Sequence, residues 1–191
     1  LVAGGVGLDL IFYPSQAWQL GVVRGLCTLA LLLLLMMLHR PGALRHAREL
    51  TLAWLVLPQL MITWMIYATQ GAESPYVFGL SLALYAAGII MPIGFLQSVG
   101  LGVFTCAAYI LAGLAHDQTL VAPPALIGNT LFLLFSVAIS AGCTFYNERA
   151  RMRLFALQHE VSEKNASLQS TNQALAQSKG MMMQQEKMAA L

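Results

Sequence analysis

Two residues of opposite charge stand inside otherwise apolar runs near the start of the chain, Asp9 in the run Val2 to Tyr13 and Arg24 in the run Trp18 to Leu38. An ionised side chain within a bilayer costs at least about 2.5–3.5 kcal/mol on insertion scales, so such residues seek a partner, a ligand or water. Asp9 lies five residues before Pro14 and Arg24 six after Trp18. At ~1.5 Å per residue both then sit about 7–9 Å below the boundary that the intervening turn marks. Mutual pairing across this first hairpin is the cheapest arrangement. A pair that also contacts a ligand stays open, as does Arg24 snorkelling to head groups while Asp9 faces a water-filled vestibule. The three cysteines, Cys27, Cys106 and Cys143, are an odd, dispersed set inside apolar runs, which suits neither a disulfide framework nor a zinc site. The sequence offers no catalytic constellation and no metal set.

Further polar residues fall at matching depth. Thr63, Trp64, Ser81, Tyr109 and Asn129 lie in the outer halves of later apolar runs, and with Asp9 and Arg24 they can line a ligand pocket open to the outside or to the outer leaflet. Small-molecule sites between bundle helices are mostly apolar with a few placed polar groups. Taken singly, each has a plainer reading: Trp64 as an interface anchor, Thr63 and Ser81 bonded to their own backbone. Pro58 with Gln59 in mid-run frees backbone groups and predicts a kink.

The elements that must position these residues follow from composition. The 191 residues are 58% hydrophobic and 9% charged, with a mean hydropathy of +0.70, whereas about a quarter of a soluble chain is charged. A soluble enzyme is excluded. Net charge is +2, too small for a nucleic-acid footprint. Since a bilayer core of about 30 Å needs about 20 apolar residues per helix, six spans are expected: Val2–Tyr13 (incomplete), about Trp18–Leu38, Leu50–Thr69, Tyr76–Ile93, about Phe95–Ala115 and Ala125–Tyr146. Pro92, Gly94, Gln97 and Gly100 read as a tight turn between the fourth and fifth. The chain opens on Leu1 rather than Met, from which a trimmed first span is expected, and no signal peptide is read.

Arginines set the expected orientation. Arg40, Arg45 and Arg48 lie in one connector and Arg149, Arg151 and Arg153 after the last span, while the loops Pro14–Ala17, Gln70–Pro75 and His116–Pro124 hold no Lys or Arg. Cations near span ends stay on the cytoplasmic side, so both termini are assigned inside, and Trp18, Trp64, Tyr67 and Tyr76 fall at the outer boundary. The outer loops total about twenty residues, too few for a folded periplasmic domain. Any stimulus acts in or beside the membrane.

From Asn147 the composition turns to Gln, Ser, Glu, Lys, Asn and Ala, and ten of the charged residues lie in these last 45 positions. Leu154, Val161, Leu168, Leu175, Met182 and Ala189 recur every seven residues, a seam seeking a partner helix. The companion row Leu157, Lys164, Thr171, Ser178 and Gln185 is mostly polar, which weakens a coil while restricting its register; a solvated single helix is the alternative. Gly180 marks a candidate hinge. No Pro or Gly cap separates Phe145 from Leu154, so the last span is expected to run into this helix unbroken. Asn129, Ser136, Ser140 and Thr144 share one face of that span, and Gly79, Ala83 and Ala87 form a stripe on span four; intramolecular packing is the plainer reading of both, ahead of a dimer seam. The fold class is thus an all-α membrane protein: a six-transmembrane-helix bundle, residues 1–146, continuing into a cytoplasmic parallel coiled-coil helix, residues 147–191.

The runs Leu157-Gln-His-Glu-Val-Ser-Glu-Lys164 and Leu168-Gln-Ser-Thr-Asn-Gln-Ala-Leu175 resemble the signalling-helix linker that couples sensors to catalytic domains. The run Gln184-Gln-Glu-Lys-Met-Ala-Ala-Leu191 is similar to the start of the dimerisation helix of sensor histidine kinases, just ahead of the phosphorylated histidine. None of His39, His46, His116 or His159 occupies that position. The resemblance implies a homodimer in a bacterial inner membrane. Its catalytic part, expected beyond Leu191, would use ATP and Mg to phosphorylate its histidine and then pass the phosphate to an aspartate of a response regulator; the present residues carry no cofactor. Six spans feeding such a linker also resemble the quorum-sensing kinases that detect α-hydroxyketones, and the stretch Asp9 to Leu29 shares with them an acidic residue in span one, a Pro in the outer loop and an Arg early in span two. Quinone-sensing and other multi-span kinases have similar features, so the small lipophilic signal is left open. Two further classes are weighed: the same module attached to a nucleotide cyclase, and half of a transporter or channel, for which only Pro58 with Gln59 speaks.

Overall fold

In the computed structural model, residues 5–40, 46–117 and 123–189 are described. Outside them lie the start of the first expected span at Val2, Arg45 of the inner connector, part of the outer loop after His116, and Leu191. The described residues form helices α1 (Val6–Phe12), α2 (Ala17–Leu38), α3 (Ala47–Ala68), α4 (Val77–Ile90), α5 (Phe95–Asp117) and α6 (Pro124–Ala189), with a 3-10 turn at Gly71–Glu73 and no strand.

Local chemistry sets the ends of these helices. Pro14 stops α1, and the Tyr13 and Gln16 amides close the turn on the Asp9 and Tyr13 carbonyls at 2.9 and 3.0 Å. Pro92 ends α4, because a residue before proline is driven extended, as Met91 is with ψ 139°. At the start of α5 the Gln97 side chain accepts from the Gly94 amide at 3.0 Å, as a capping-box glutamine does. Gln97 and Gly100 therefore belong to α5, and the turn is confined to the residues before Phe95. Pro124 opens α6 at the first helical position, where a missing N–H is harmless. Despite Pro58, α3 is one helix from Ala47 to Ala68.

Four helices, α2, α3, α5 and α6, are long and apolar enough to cross a membrane. Where six spans are expected, α4 has 14 residues, about 21 Å at ~1.5 Å per residue, and α1 has seven described residues. The shortening of α4 has a physical cause at each end: Pro92 on one side, and on the other a loop that folds inward instead of continuing the helix. There Gly71 takes φ 58°, a left-handed conformation that glycine alone adopts freely, and a Cβ at this position would meet the His116 ring at 2.7 Å.

Residues 1–146 and 147–191 form two separate units. In the first, α3 packs against α2, α4 and α5, and α1 lies on α2. Met65, Ile66, Leu80, Leu84, Tyr109 and Leu133 form the buried centre. On α2 only Leu20, Arg24 and Cys27, one helical face, are buried; Leu29, Leu33 and Met36 project outward, as do Leu96, Val103 and Leu111 on α5. Helices apolar on their outer faces require lipid around them. In the second unit α6 continues as helix to Ala189, through Gly180. Leu154, Val161, Leu168, Leu175 and Met182 are each more than half exposed. Glu160 pairs with Lys164 at 2.7 Å, an i,i+4 contact worth only about 0.2–0.5 kcal/mol.

Candidate functional site

The first hairpin brings Asp9 and Arg24 together. The Arg24 Nε donates to Asp9 Oδ2 at 2.6 Å and Nη2 to Oδ1 at 2.9 Å, a bidentate pair that fixes the guanidinium plane as well as its charge. Both residues are buried. A third donor comes from the end of the inward loop, where Tyr76 Oη donates to Asp9 Oδ1. The Tyr76 ring also lies 5.6 Å from the Arg24 guanidinium carbon, within cation–π range, and 5.7 Å from the Tyr13 ring. At Gly5 any Cβ would collide with the guanidinium, so the α1 start must be bare for the pair to form. Burial without water leaves a carboxylate dependent on such donors. The cluster joins α1, α2 and the start of α4, and its charges cancel.

Tyr76 is the participant that sequence reasoning places elsewhere, as an interfacial ring. It is buried because residues 70–76 fold back into the bundle. The Thr69 hydroxyl donates to the Met65 carbonyl at 2.7 Å and contacts the Ser74 hydroxyl at 2.9 Å, while His116 Nδ1 donates to the Tyr67 carbonyl at 2.8 Å. Tyr109 Oη and Asn129 Nδ2 both donate to the Ala72 carbonyl, each at 2.9 Å. One backbone oxygen of the turn thus collects α5 and α6. Two expected site residues, Tyr109 and Asn129, meet here as supports of the loop.

The polar face of α6 works in the same way further along. Ser136 shares a hydrogen bond with Tyr85 at 3.0 Å, and the Ser140 hydroxyl donates to the Leu84 carbonyl at 2.8 Å. Gly88 makes room for that approach, since a Cβ there would stand 2.6 Å from the Ser140 carbonyl. Thr144 bonds back to the Ser140 carbonyl at 2.9 Å. The stripe is therefore engaged within the bundle.

Ser81 is buried and its hydroxyl reaches the Val77 carbonyl of its own helix at 3.5 Å. Thr63 departs from the expected backbone bond, for its buried hydroxyl has no partner among the described residues. Thr63 and Trp64 line a cavity of about 520 Å³ between α3 and α5. A second, of about 330 Å³, lies between Trp64 and the face of α2 carrying Trp18 and Val22. The seven candidate residues thus occupy an ion-pair cluster, a loop anchor, one helix backbone and a lateral cavity. Gln59, which the sequence offers only as part of a kink, is buried with both amide atoms unpartnered among the described residues. Among those residues no three His, Cys, Asp or Glu side chains gather where a metal could bind.

The described residues thus form an all-α bundle with apolar outer faces, a buried ionic cluster and a cavity opening on its outer surface. The chain belongs to the MASE8 family of membrane-associated sensor domains, whose model matches residues 7–162, from α1 into the first turns beyond the bundle. Comparison with curated proteins and with solved structures finds no match.

Proposed function

We propose that this chain is the sensor and transmitter module of a two-component histidine kinase, which detects a small lipophilic signal in the membrane and relays it through α6 to an output domain. Membership of a membrane-associated sensor family supports the sensing half. The observation that carries the relay is α6 itself, one helix of 66 residues from Pro124 to Ala189. Within it, Asn129 and Ser140 are bonded to the bundle and Leu154 to Met182 present an exposed seven-residue seam. In the working protein two copies pair along that seam, six segments are membrane-embedded with α1 and α4 as the short members, and both termini face the cytoplasm of a bacterial inner membrane. The similarity of Gln184 to Leu191 to a kinase dimerisation helix favours a kinase output over a cyclase. A signal shifts such a module only by binding its two states with different affinity.

The test uses the full-length protein encoded with this chain, purified into lipid vesicles and given Mg and labelled ATP. The expected product is a phosphoprotein whose label is stable to alkali and lost in acid, and which passes to a response regulator. Formation of a cyclic nucleotide with no phosphoprotein would replace the kinase by the cyclase, and solute uptake without either would remove the sensor reading.

A further inference from the structure

Two features coincide on α3. The first is the cavity of about 520 Å³ between α3 and α5, within the range of small-molecule sites. On the α5 side Ala107, Ala108 and Ala112 hold it open by their small size; on the α3 side Leu60, Thr63 and Trp64 form its wall. Leu60 and Trp64 are also exposed on the outer surface of the bundle, so the opening is lateral, toward the bilayer. The second feature is a set of stranded polar atoms. Gln59 is 1% exposed, and neither its Oε1 nor its Nε2 has a partner among the described residues; Thr63 Oγ1 is likewise buried and unpartnered. Residues four apart stand one above the other on a helix, so amide and hydroxyl make one polar strip on α3; Thr63 borders the cavity while Gln59 lies one turn away, behind its lining, and a head group reaches the buried polar atoms by displacing the side chains that cover them.

An unsatisfied amide in an apolar interior is a strong driving force for any molecule able to satisfy it. The amide offers two donors and an acceptor and the hydroxyl one donor and an acceptor. No charged side chain lines the cavity, and the buried charges of Asp9 and Arg24 are directed at each other. A carboxylate, phosphate or ammonium head would therefore enter without a counter-charge.

We propose that the cavity between α3 and α5 binds a neutral amphiphile from the bilayer, its hydroxyl or carbonyl head hydrogen-bonded by Thr63 and Gln59 and its apolar body held between Trp64 and the alanine face of α5. This deepens the sensor reading and rests on it, by naming the site and chemical class of the signal. Because α3 also packs on α2 and α4, occupancy bears on the helices that carry the ionic cluster.

Three photoreactive probes of equal chain length decide it, each with a mid-chain diazirine: a ten-carbon alcohol, the matching alkane and the matching carboxylate. The full chain in phosphatidylcholine nanodiscs is irradiated with each, and labelled peptides are mapped by mass spectrometry. The alcohol is expected to label the α3 segment 60–67 and the α5 segment 104–112, about three- to tenfold above alkane and carboxylate, the ratio one hydrogen bond supports. Unlabelled 1-decanol should compete. Thr63→Val, nearly isosteric, and Gln59→Leu should each reduce alcohol labelling to the alkane level while leaving alkane labelling intact, and Ala108→Phe should exclude both. Intact alkane labelling in the same sample reports that a variant is folded, and Thr63→Val alone suffices should Gln59→Leu not fold. Equal labelling by alcohol and alkane would reduce the cavity to an ordinary lipid-facing groove. Labelling by the alcohol that ignores both substitutions would assign Gln59 and Thr63 to internal water, and either result overturns the proposal. The readout involves no nucleotide, so an unlabelled cavity leaves the kinase output standing, and absent phosphotransfer leaves the site standing.

Discussion

Asp9 accepts from Arg24 twice and from Tyr76 once, so each partner has a separable effect. Neutralising one charge of a buried pair strands the other, at a cost of about 3–5 kcal/mol, whereas replacing both together is often close to neutral. Asp9→Asn and Arg24→Gln should each lower the stability of the bundle by about that amount, and the double variant by clearly less than their sum. Equilibrium unfolding in mixed micelles, run as a double-mutant cycle, measures the coupling; strict additivity would mean that the pair contributes nothing as a pair. Tyr76→Phe keeps the ring against Arg24 and Tyr13 but removes a hydrogen bond to a charged group, worth about 1.5–3 kcal/mol, and should fall between wild type and the single charge variants. At this scale the sequence is uneven. Asp9 and Arg24 are legible because two intramembrane charges flank one short turn and counting along each helix puts them at equal depth. Tyr76 is not, because a tyrosine next to a span end has the same signature whether it meets head groups or folds inward, and only the left-handed Gly71 and the Thr69–Ser74 contact decide. Gln59 is missed for a different reason: its adjacency to Pro58 suggests a backbone role, while its significance lies in having no neighbour to bond among the described residues.

Glycine separates two kinds of helix contact in the bundle. At Gly88 a Cβ would meet the Ser140 carbonyl and Cα, at 2.6 and 2.9 Å, whereas at Gly79 it would meet only the end of the Ile62 side chain, at 3.5 Å. A backbone oxygen cannot give way as a side chain does. Gly88→Ala should therefore push α4 off α6, stretch the Ser140 to Leu84 hydrogen bond and cost about 1–3 kcal/mol as overpacking does. Gly79→Ala should be neutral, or stabilising by up to about 1 kcal/mol through helix propensity. Unfolding midpoints of the two variants, compared in one detergent, check this, and equal effects would contradict the close α4 to α6 approach. The small-residue stripe on α4 and the hydroxyl stripe on α6 are readable from spacing as packing faces, but the two do not meet: Ser136 and Ser140 bond to Tyr85 and Leu84, off the α4 stripe, whose Gly79 faces Ile62 of α3. Spacing does not show which helix each stripe meets, nor that Gly88, one residue beyond Ala87, marks the close approach of α4 to α6. The length of α4 is half legible: Pro92 predicts its end, while its start at Val77 depends on tertiary contacts that hold residues 70–76 within the bundle.

At the scale of the whole molecule the question is whether α6 transmits, and its exposed row of Leu154, Val161, Leu168 and Leu175 makes the answer measurable. Isolated polar helices are marginal in water and rely on packing for most of their stability. Among the described residues, the side chains from Met152 to Gln173 are exposed, and the contacts there are local ones such as the i,i+4 pair of Glu160 with Lys164. A second copy laid along the seam, as proposed above, would supply that packing, with the polar companion row from Lys164 to Thr171 weakening the coil while restricting its register. After Cys27, Cys106 and Cys143 are replaced by alanine, single cysteines walked from 154 to 175 in vesicles should cross-link most at 154, 161, 168 and 175, with troughs near 158, 165 and 172. Deleting two residues, Val161 and Ser162, turns everything beyond by about 200° at ~100° per residue, so the peaks beyond the deletion should weaken. Deleting the seven residues from Val161 to Ser167 rejoins Glu160 to Leu168, restores the seven-residue spacing and should bring the peaks back. A flat cross-linking profile in the parent, or a two-residue deletion without effect, would leave the emergent helix a solvated tether, unable to carry a change in the bundle to anything beyond it.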